Sequence, residues 1–497
     1  MEGQFSISKY VDAAQVTKKL DELIKLPIYS IKPAALKEYE EEYFHKKCIK
    51  SKEMVDRAMD IIPGGVQHNL AFNHPFPLAF NKAEGAYLWD VDGNKYYDFL
   101  QAGGPVVLGS NPVSVREKVK ELLDTCGPST GLFHEYEYKL AKKICDSIDS
   151  VEMFRMMGSG TEACMGAIRV ARLATKKKRI LKMGGAYHGW SDQLAYGIRI
   201  PGSKWTQASG VPKKMFKYTD EYFPNDLNDL ERKLKRNQMK GGTAAVFLEP
   251  VGPESGTRPL DRDFPKGVEE LCRRYGALLI CDEVVTGFRI GMSGAQGYFG
   301  ISPDLTIFGK VIAGGYPGAG GLGGKKEYMK YLSSGIGGEA KHPKALVGGT
   351  MAAAPISCVA GYHTLCEIEE SGAIPKAGRF ADQLMEGVNK IIDKYKLPFV
   401  AFNQGSICHL DTTGAMHFAI NWSKPWQIPN VLNQTSARKQ EMEHMGAAYM
   451  AEGIVTLAGS RLYTSGAYED SMLKDILDRF DKIFANVEEL KPADGEK

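Results

Sequence analysis

Four short segments of this chain place reactive side chains directly after apolar, strand-like runs. Met153 to Met157 is followed by Gly158-Ser159-Gly160-Thr161 and then by a helical stretch, Glu162 to Ala174. Glycines let a backbone approach a ligand closely, and a helix start offers unpaired amides at the positive end of a dipole. Such a loop cradles an anion such as a phosphate, and the Ser159 and Thr161 hydroxyls can add hydrogen bonds. Ile180 to Met183 leads to Tyr187-His188-Gly189-Trp190, where an aromatic can stack on a flat ring. Ala277 to Cys281 leads to Asp282-Glu283. A carboxylate there is costly to bury alone, but beside a pyridine nitrogen it keeps that nitrogen protonated and makes the ring an electron sink. Leu305 to Phe308 leads to Gly309-Lys310 and the glycine-rich Ala313-Gly314-Gly315-Tyr316. A lysine so placed can reach into a cleft and form an imine with a carbonyl.

Each signal has an ordinary alternative. Gly158-x-Gly160-x-x-Ala163 also fits a dinucleotide-binding turn, but the next strand ends Lys182-Met183-Gly184, without the acid that would hold a ribose. Tyr187 could fill a core, Asp282 could cap a helix, and most lysines are solvated. The succession of all four at strand ends carries the reading, because ligands of α/β sheets bind beyond the carboxyl ends of the strands.

The elements that must position these groups alternate. Short β-rich runs, among them Ala244 to Leu248, are separated by helical periods such as Phe264 to Tyr275, which stops at Gly276. That alternation predicts a mostly parallel sheet covered on both faces. Four stretches are expected: a helical extension over 1–50, the N-terminal part of a small domain over 51–114, a large domain over 115–365, and a C-terminal small domain over 366–497. Trp89 to Phe99 reads as two strands joined by a tight Asp-Gly turn.

With 497 residues, 43% hydrophobic and 25% charged, the chain has the composition of a globular protein with a large core. Its 63 basic and 60 acidic residues leave a net charge of +3, which gives no reason to expect a nucleic acid or a membrane as partner. Lys176 to Arg179, and the run Lys233, Lys235, Arg236 and Lys240, read as solvated helix ends. The nine cysteines form no regular framework, the N-terminus lacks a leader pattern, and no apolar run is long enough to span a bilayer. Cytoplasmic residence is the expectation.

Taken in order, Trp89-Asp-Val-Asp-Gly-Asn-Lys-Tyr-Tyr-Asp-Phe, Gly158-Ser-Gly-Thr-Glu-Ala, Tyr187-His-Gly, Leu248-Glu-Pro-Val, Asp282-Glu-Val-Val-Thr-Gly-Phe-Arg, Pro303-Asp-Leu-Thr-Ile-Phe-Gly-Lys and Gly348-Gly-Thr resemble the class III (fold-type I) aminotransferases that use pyridoxal 5'-phosphate. Within that family the chain is most similar to the glutamate-1-semialdehyde aminomutase branch, over about residues 55–480. The resemblance implies an α/β fold with a mostly parallel, seven-stranded-type central sheet flanked by helices, plus a smaller α+β domain. It implies that Ser159, Gly160 and Thr161 hold the phosphate, that Tyr187 and Val284 pack the two ring faces, and that His188 lines the cofactor. Asp282 would pair with the ring nitrogen and Lys310 would form the Schiff base; with Tyr187 they make the catalytic set. Glu249 matches a position near the cofactor. Thr350 would reach the phosphate bound by a neighbouring subunit, which implies a homodimer with shared sites.

Three departures bear on the reaction. Thr350 is followed by Met351-Ala352-Ala353-Ala354-Pro355 where the aminomutases carry Ser-Gly-Asn-Pro, the mutase acid is missing from the segment at Ser460-Arg461, and Gln67 to Leu70 lacks an Arg. Arg461 resembles a residue that binds substrate carboxylate in related aminotransferases. The implied activity is transfer of an amino group from a carboxylate-bearing amine or amino acid to a 2-oxo acid. The alternative is an isomerase on the same scaffold, an aminomutase or an amino-acid racemase.

Overall fold

The computed structural model describes residues 4–204, 209–333 and 342–490. Its centre is a seven-stranded sheet in the spatial order Met153–Met157, Gly320–Gly324, Leu305–Gly309, Leu278–Asp282, Thr243–Leu248, Arg179–Met183, Thr219–Tyr222. The last five are parallel neighbours, and Gly320–Gly324 runs antiparallel between its two partners. All six residues of Thr243–Leu248 are buried, as expected where helices cover both faces. One face packs on Ala163, Ala167, Val170 and Ala171 of the helix Gly160–Thr175, the other on Leu230, Leu234, Val268 and Leu271.

The boundaries matter for the chemistry. The strand expected to stop at Cys281 includes Asp282 as its last residue, and the one expected to stop at Phe308 runs to Gly309. Both reactive residues therefore emerge at the carboxyl edge. The helix expected from Glu162 starts at Gly160. Phe264–Tyr275 ends as expected, with Gly276 at a φ of 57°.

Two strands of this sheet were not foreseen, Thr219–Tyr222 and Gly320–Gly324. Glycine has poor strand propensity, yet Gly-Gly-Leu-Gly-Gly is fully buried in the sheet. A Cβ on Gly320 would lie 2.2 Å from the carbonyl oxygen of Ser159 and one on Gly321 would lie 2.4 Å from Phe154. Absence of side chains here is what lets the anion loop sit against the sheet.

The N-terminal stretch is more than a helical extension. Its helix Ala13–Leu23 packs on Val400 and Phe402, and Tyr29–Ile31 pairs antiparallel with Val487–Glu489. The strands expected around the Asp-Gly turn are Tyr87–Asp90 and Lys95–Asp98; they join Phe80–Glu84 and Ile454–Val455 in a second sheet. Strands from both ends of the chain thus pair with one another outside the central sheet.

Candidate active site

At the carboxyl edge lies a cavity of about 430 Å³, lined among others by Ser159, Gly160, Thr161, Tyr187, His188, Asp282, Val284 and Lys310. These side chains come from four strand ends and meet only through the sheet.

The anion loop is built by its own capping. Ser159 Oγ accepts from Glu162 N at 3.2 Å and Glu162 Oε2 accepts from Gly158 N at 2.9 Å. This reciprocal pairing fixes the helix start. It aims the first-turn amides at the cavity, and the Ser159 hydroxyl proton remains able to donate. Gly189 closes on the same loop: a Cβ there would lie 2.1 Å from Thr161 Oγ1.

Asp282 is buried, and its Oδ2 lies 2.7 Å from His188 Nδ1. Burial lowers the His188 pKa, with the Asp282 carboxylate opposing. A neutral imidazole can donate from Nδ1 to this oxygen. His188 Nε2 is buried without a partner. The sequence marked His188 only as a lining residue; the structure adds its direct contact with Asp282.

Tyr187 stands in the cavity wall, its ring half-exposed. Two buried groups hold its loop from behind. Lys182 Nζ donates to the carbonyls of Ala186 at 2.9 Å, Leu194 at 3.3 Å and Tyr196 at 2.6 Å. Burial brings its pKa down to about 8. Glu249 does not line the cavity. Its Oε1 accepts from Tyr187 N at 2.9 Å and Glu254 N at 3.2 Å, and its Oε2 accepts from Ser255 N at 2.9 Å. Burial first, then the Asp282 charge, push Glu249 up to about 8.

Lys310 follows its strand in a left-handed conformation, φ 51°, and its Nζ donates to Gly103 O at 2.8 Å. Burial lowers its pKa; Tyr463 opposes this, while Arg461 and Arg289 add to it. The acceptor belongs to a turn the sequence did not reveal. Gln101, Ala102, Gly103 and Gly104 have φ of 46°, 53°, 84° and 113°. Two non-glycine residues in that region cost about 1–3 kcal/mol each, so something must hold the turn. Arg289, fully buried, does so: its guanidinium donates to Gly104 O at 2.7 Å and Gln101 Oε1 at 3.1 Å, and also to Thr464 O at 2.9 Å. The Gly-Phe-Arg text after Asp282 was the available signal.

Arg461 and Thr350 are not among the cavity-lining residues. Arg461 is nearly enclosed, and its Nη2 lies 3.3 Å from Glu254 Oε2, a carboxylate that also meets Arg199 Nε at 3.2 Å. Glu254 and Ser255 are themselves left-handed, with φ of 48° and 60°. Thr350 is exposed in a turn beside the exposed Leu346 and Met351.

Behind Arg461, His409 donates or accepts at 3.1 Å with Ser255 O, and a carbonyl can only accept, so Nε2 carries the proton. Burial, with Arg461 adding, takes its pKa from 6.5 to about 3. The unfolded chain therefore binds this proton first as pH falls. Stability is full above pH 6.5 and declines toward about pH 3. The expected cost at pH 5 is about 2 kcal/mol. Urea unfolding of His409→Gln, compared with the parent at pH 7.5 and pH 5, should show that much less decline. An identical decline in the variant would place the loss at other groups.

The site suits pyridoxal phosphate: donors for a phosphate, a buried carboxylate that could face a ring nitrogen, flat and branched walls, and a buried amine. Comparison with known proteins gives the same answer. A sequence model described as aminotransferase class-III matches residues 70–438. The chain is 34% identical to glutamate-1-semialdehyde 2,1-aminomutase 1 of Lachnoclostridium phytofermentans, over 88% of this chain and 99% of that one. It is 38% identical to the glutamate-1-semialdehyde 2,1-aminomutase of Legionella pneumophila, over 72% and 82%. An omega-transaminase from Sphaerobacter thermophilus superposes with a TM-score of 0.77 at 25% identity, covering 89% of this chain and 99% of the other. A glutamate-1-semialdehyde-aminomutase variant from Pseudomonas aeruginosa PAO1 in complex with PMP superposes equally, TM-score 0.77 at 20% identity, over 96% and 99%. With its residues 70–438 matched and this cavity at the edge of its sheet, the chain belongs to the class III aminotransferase family, and its cofactor is pyridoxal phosphate.

Proposed function

We propose that the protein transfers an amino group from a carboxylate-bearing amine or amino acid to a separate 2-oxo acid. The observation that carries this reading is Arg461, a nearly enclosed guanidinium close enough to Lys310 to depress its pKa and held by a single carboxylate, Glu254. A substrate carboxylate can take the place of Glu254 with two parallel hydrogen bonds.

Pyridoxal phosphate, when bound, supplies an aldehyde for the amine and a protonated ring that takes up electrons from the substrate carbon. The rest falls to the chain. The amides of Ser159, Gly160 and Thr161 and the two hydroxyls receive the phosphate. Tyr187 and Val284 keep the ring between them. Asp282, fixed by His188, holds the proton on the ring nitrogen. Lys310 Nζ, its pKa lowered by burial with two guanidiniums adding, would take the proton from the substrate carbon and return it to the cofactor's former aldehyde carbon. The Gly103 carbonyl orients that amine between transfers.

The second reading, an intramolecular aminomutase, is favoured by the 34–38% identity to proteins so named. Acceptor dependence separates them. Amino acids and amines are assayed with pyruvate, with 2-oxoglutarate and with neither. We expect turnover only with an acceptor, and Arg461→Ala should raise KM for carboxylate substrates about tenfold or more while sparing simple amines. Conversion of glutamate-1-semialdehyde without any acceptor would establish the isomerase instead.

The proposal includes a homodimer in which Thr350 serves the partner's cofactor. The exposed apolar Leu346 and Met351 beside it suit a covered surface. Mixing Lys310→Ala with Thr350→Ala chains should regain activity. Half the dimers would then be mixed with one intact site each, so about a quarter of all sites are restored. No regain on mixing, or a fully active monomer, rejects shared sites.

A further inference from the structure

The basic stretches that read as solvated helix ends do not all lie apart. Arg179 and Arg236 meet Lys204, Lys213 and Lys217 around a cleft of about 250 Å³, with Asp220 its one acid. Arg179 begins a strand whose Ile180 lies opposite Thr219 in the adjacent parallel strand. The cleft is therefore at the amino ends of these strands, whereas the cofactor cavity is at their carboxyl ends.

We propose that this cleft is a second ligand site, for a small phosphorylated anion of the diphosphate kind. Five cationic residues line the cleft with a single carboxylate, and that carboxylate is already engaged: Asp220 meets Arg236 Nη2 at 2.5 Å and Lys204 Nζ at 3.7 Å. Among the described residues, Arg179, Lys213 and Lys217 form no ion pair. Like charges gathered in a partly enclosed space repel one another, and a polyanion removes that repulsion. Arg179 supplies the strongest pointer. Its Nε is buried without a partner, and its guanidinium lies 5.9 Å from the centre of the Tyr218 ring. Lys217 Nζ stands 5.4 Å from the same ring. Lys204 is 9% exposed, and burial lowers its pKa. An anion in the cleft would oppose that effect of burial. A space of this size suits a small anion. Two neighbouring phosphate groups match an Arg fork flanked by lysines better than one would.

The experiment uses holoenzyme reduced with borohydride, so that the cofactor permanently fills its own phosphate loop. Inorganic pyrophosphate is titrated calorimetrically at low ionic strength, with inorganic phosphate as the weaker comparison. We expect saturable binding of one pyrophosphate per chain. Arg179→Gln with Lys213→Gln should weaken it by at least about tenfold, whereas Lys235→Gln with Lys240→Gln should not change it. Absence of saturable binding to the parent overturns the proposal. Equal loss in both pairs also overturns it, since that is general attraction to a basic surface. Should the first pair fold poorly, as judged by cofactor absorbance, Lys217→Gln at an exposed position decides, with about threefold weakening expected and none overturning the site.

Discussion

Lys310→Ala is expected to lower turnover by about 10³-fold or more while the cofactor stays in its cavity. The loss is large because in the proposed mechanism one amine both anchors the cofactor and moves the proton, and no other lysine lines the cavity. Retention follows from contacts the variant keeps: the Gly160–Thr175 helix start, the Tyr187 and Val284 walls, and Asp282. Borohydride reduction of the parent enzyme and peptide mapping should place the cofactor on Lys310. A label on another lysine, such as the buried Lys182 behind Tyr187, would overturn the assignment. Added methylamine should return part of the variant's activity, since it supplies a base without the anchor.

Asp282→Asn tests the electron sink by itself. Asn retains an oxygen that accepts from His188 Nδ1, which lies 2.7 Å from the carboxylate, so the local geometry should persist. It carries no charge to hold a proton on the ring nitrogen. The expected result is normal cofactor content and a fall in turnover of about 10³-fold, or ~4 kcal/mol of barrier. The absorbance of the bound cofactor and its response to pH should shift as well, a change that mere loosening of the fold would not give. Near-normal turnover would reduce Asp282 to a structural partner of His188.

How much of this was legible in the sequence depends on the range of the interactions involved. The anion loop, Asp282 and Lys310 could be found because each follows a short apolar run, and strand ends in α/β sheets point at ligands. The helix start at Gly160 was displaced by only two residues from the expected Glu162, because Ser159 and Glu162 cap it locally. The seven-stranded sheet follows from the same alternation, apart from Gly320–Gly324 and Thr219–Tyr222.

What resisted reading was long-range. Gly320–Gly324 is a strand against its own propensity, because its neighbours leave no room for a Cβ. Arg289 reaches from the residues after Asp282 to Gly104 and Thr464, 185 and 175 positions away, and so decides where the acceptor for Lys310 sits. Glu254 meets Arg461 across 207 positions, which turns an exposed-looking arginine into a guarded one. Lys182, a basic residue in a strand, is buried because three loop carbonyls satisfy its ammonium. The sequence by itself determined the fold class, the cofactor and most of the side chains that gather at the cavity, since local patterns specify strand ends and helix starts. Only the tertiary structure decided how those residues are held and charged, and which distant cations meet, because burial and pairing depend on groups the chain brings together from far apart.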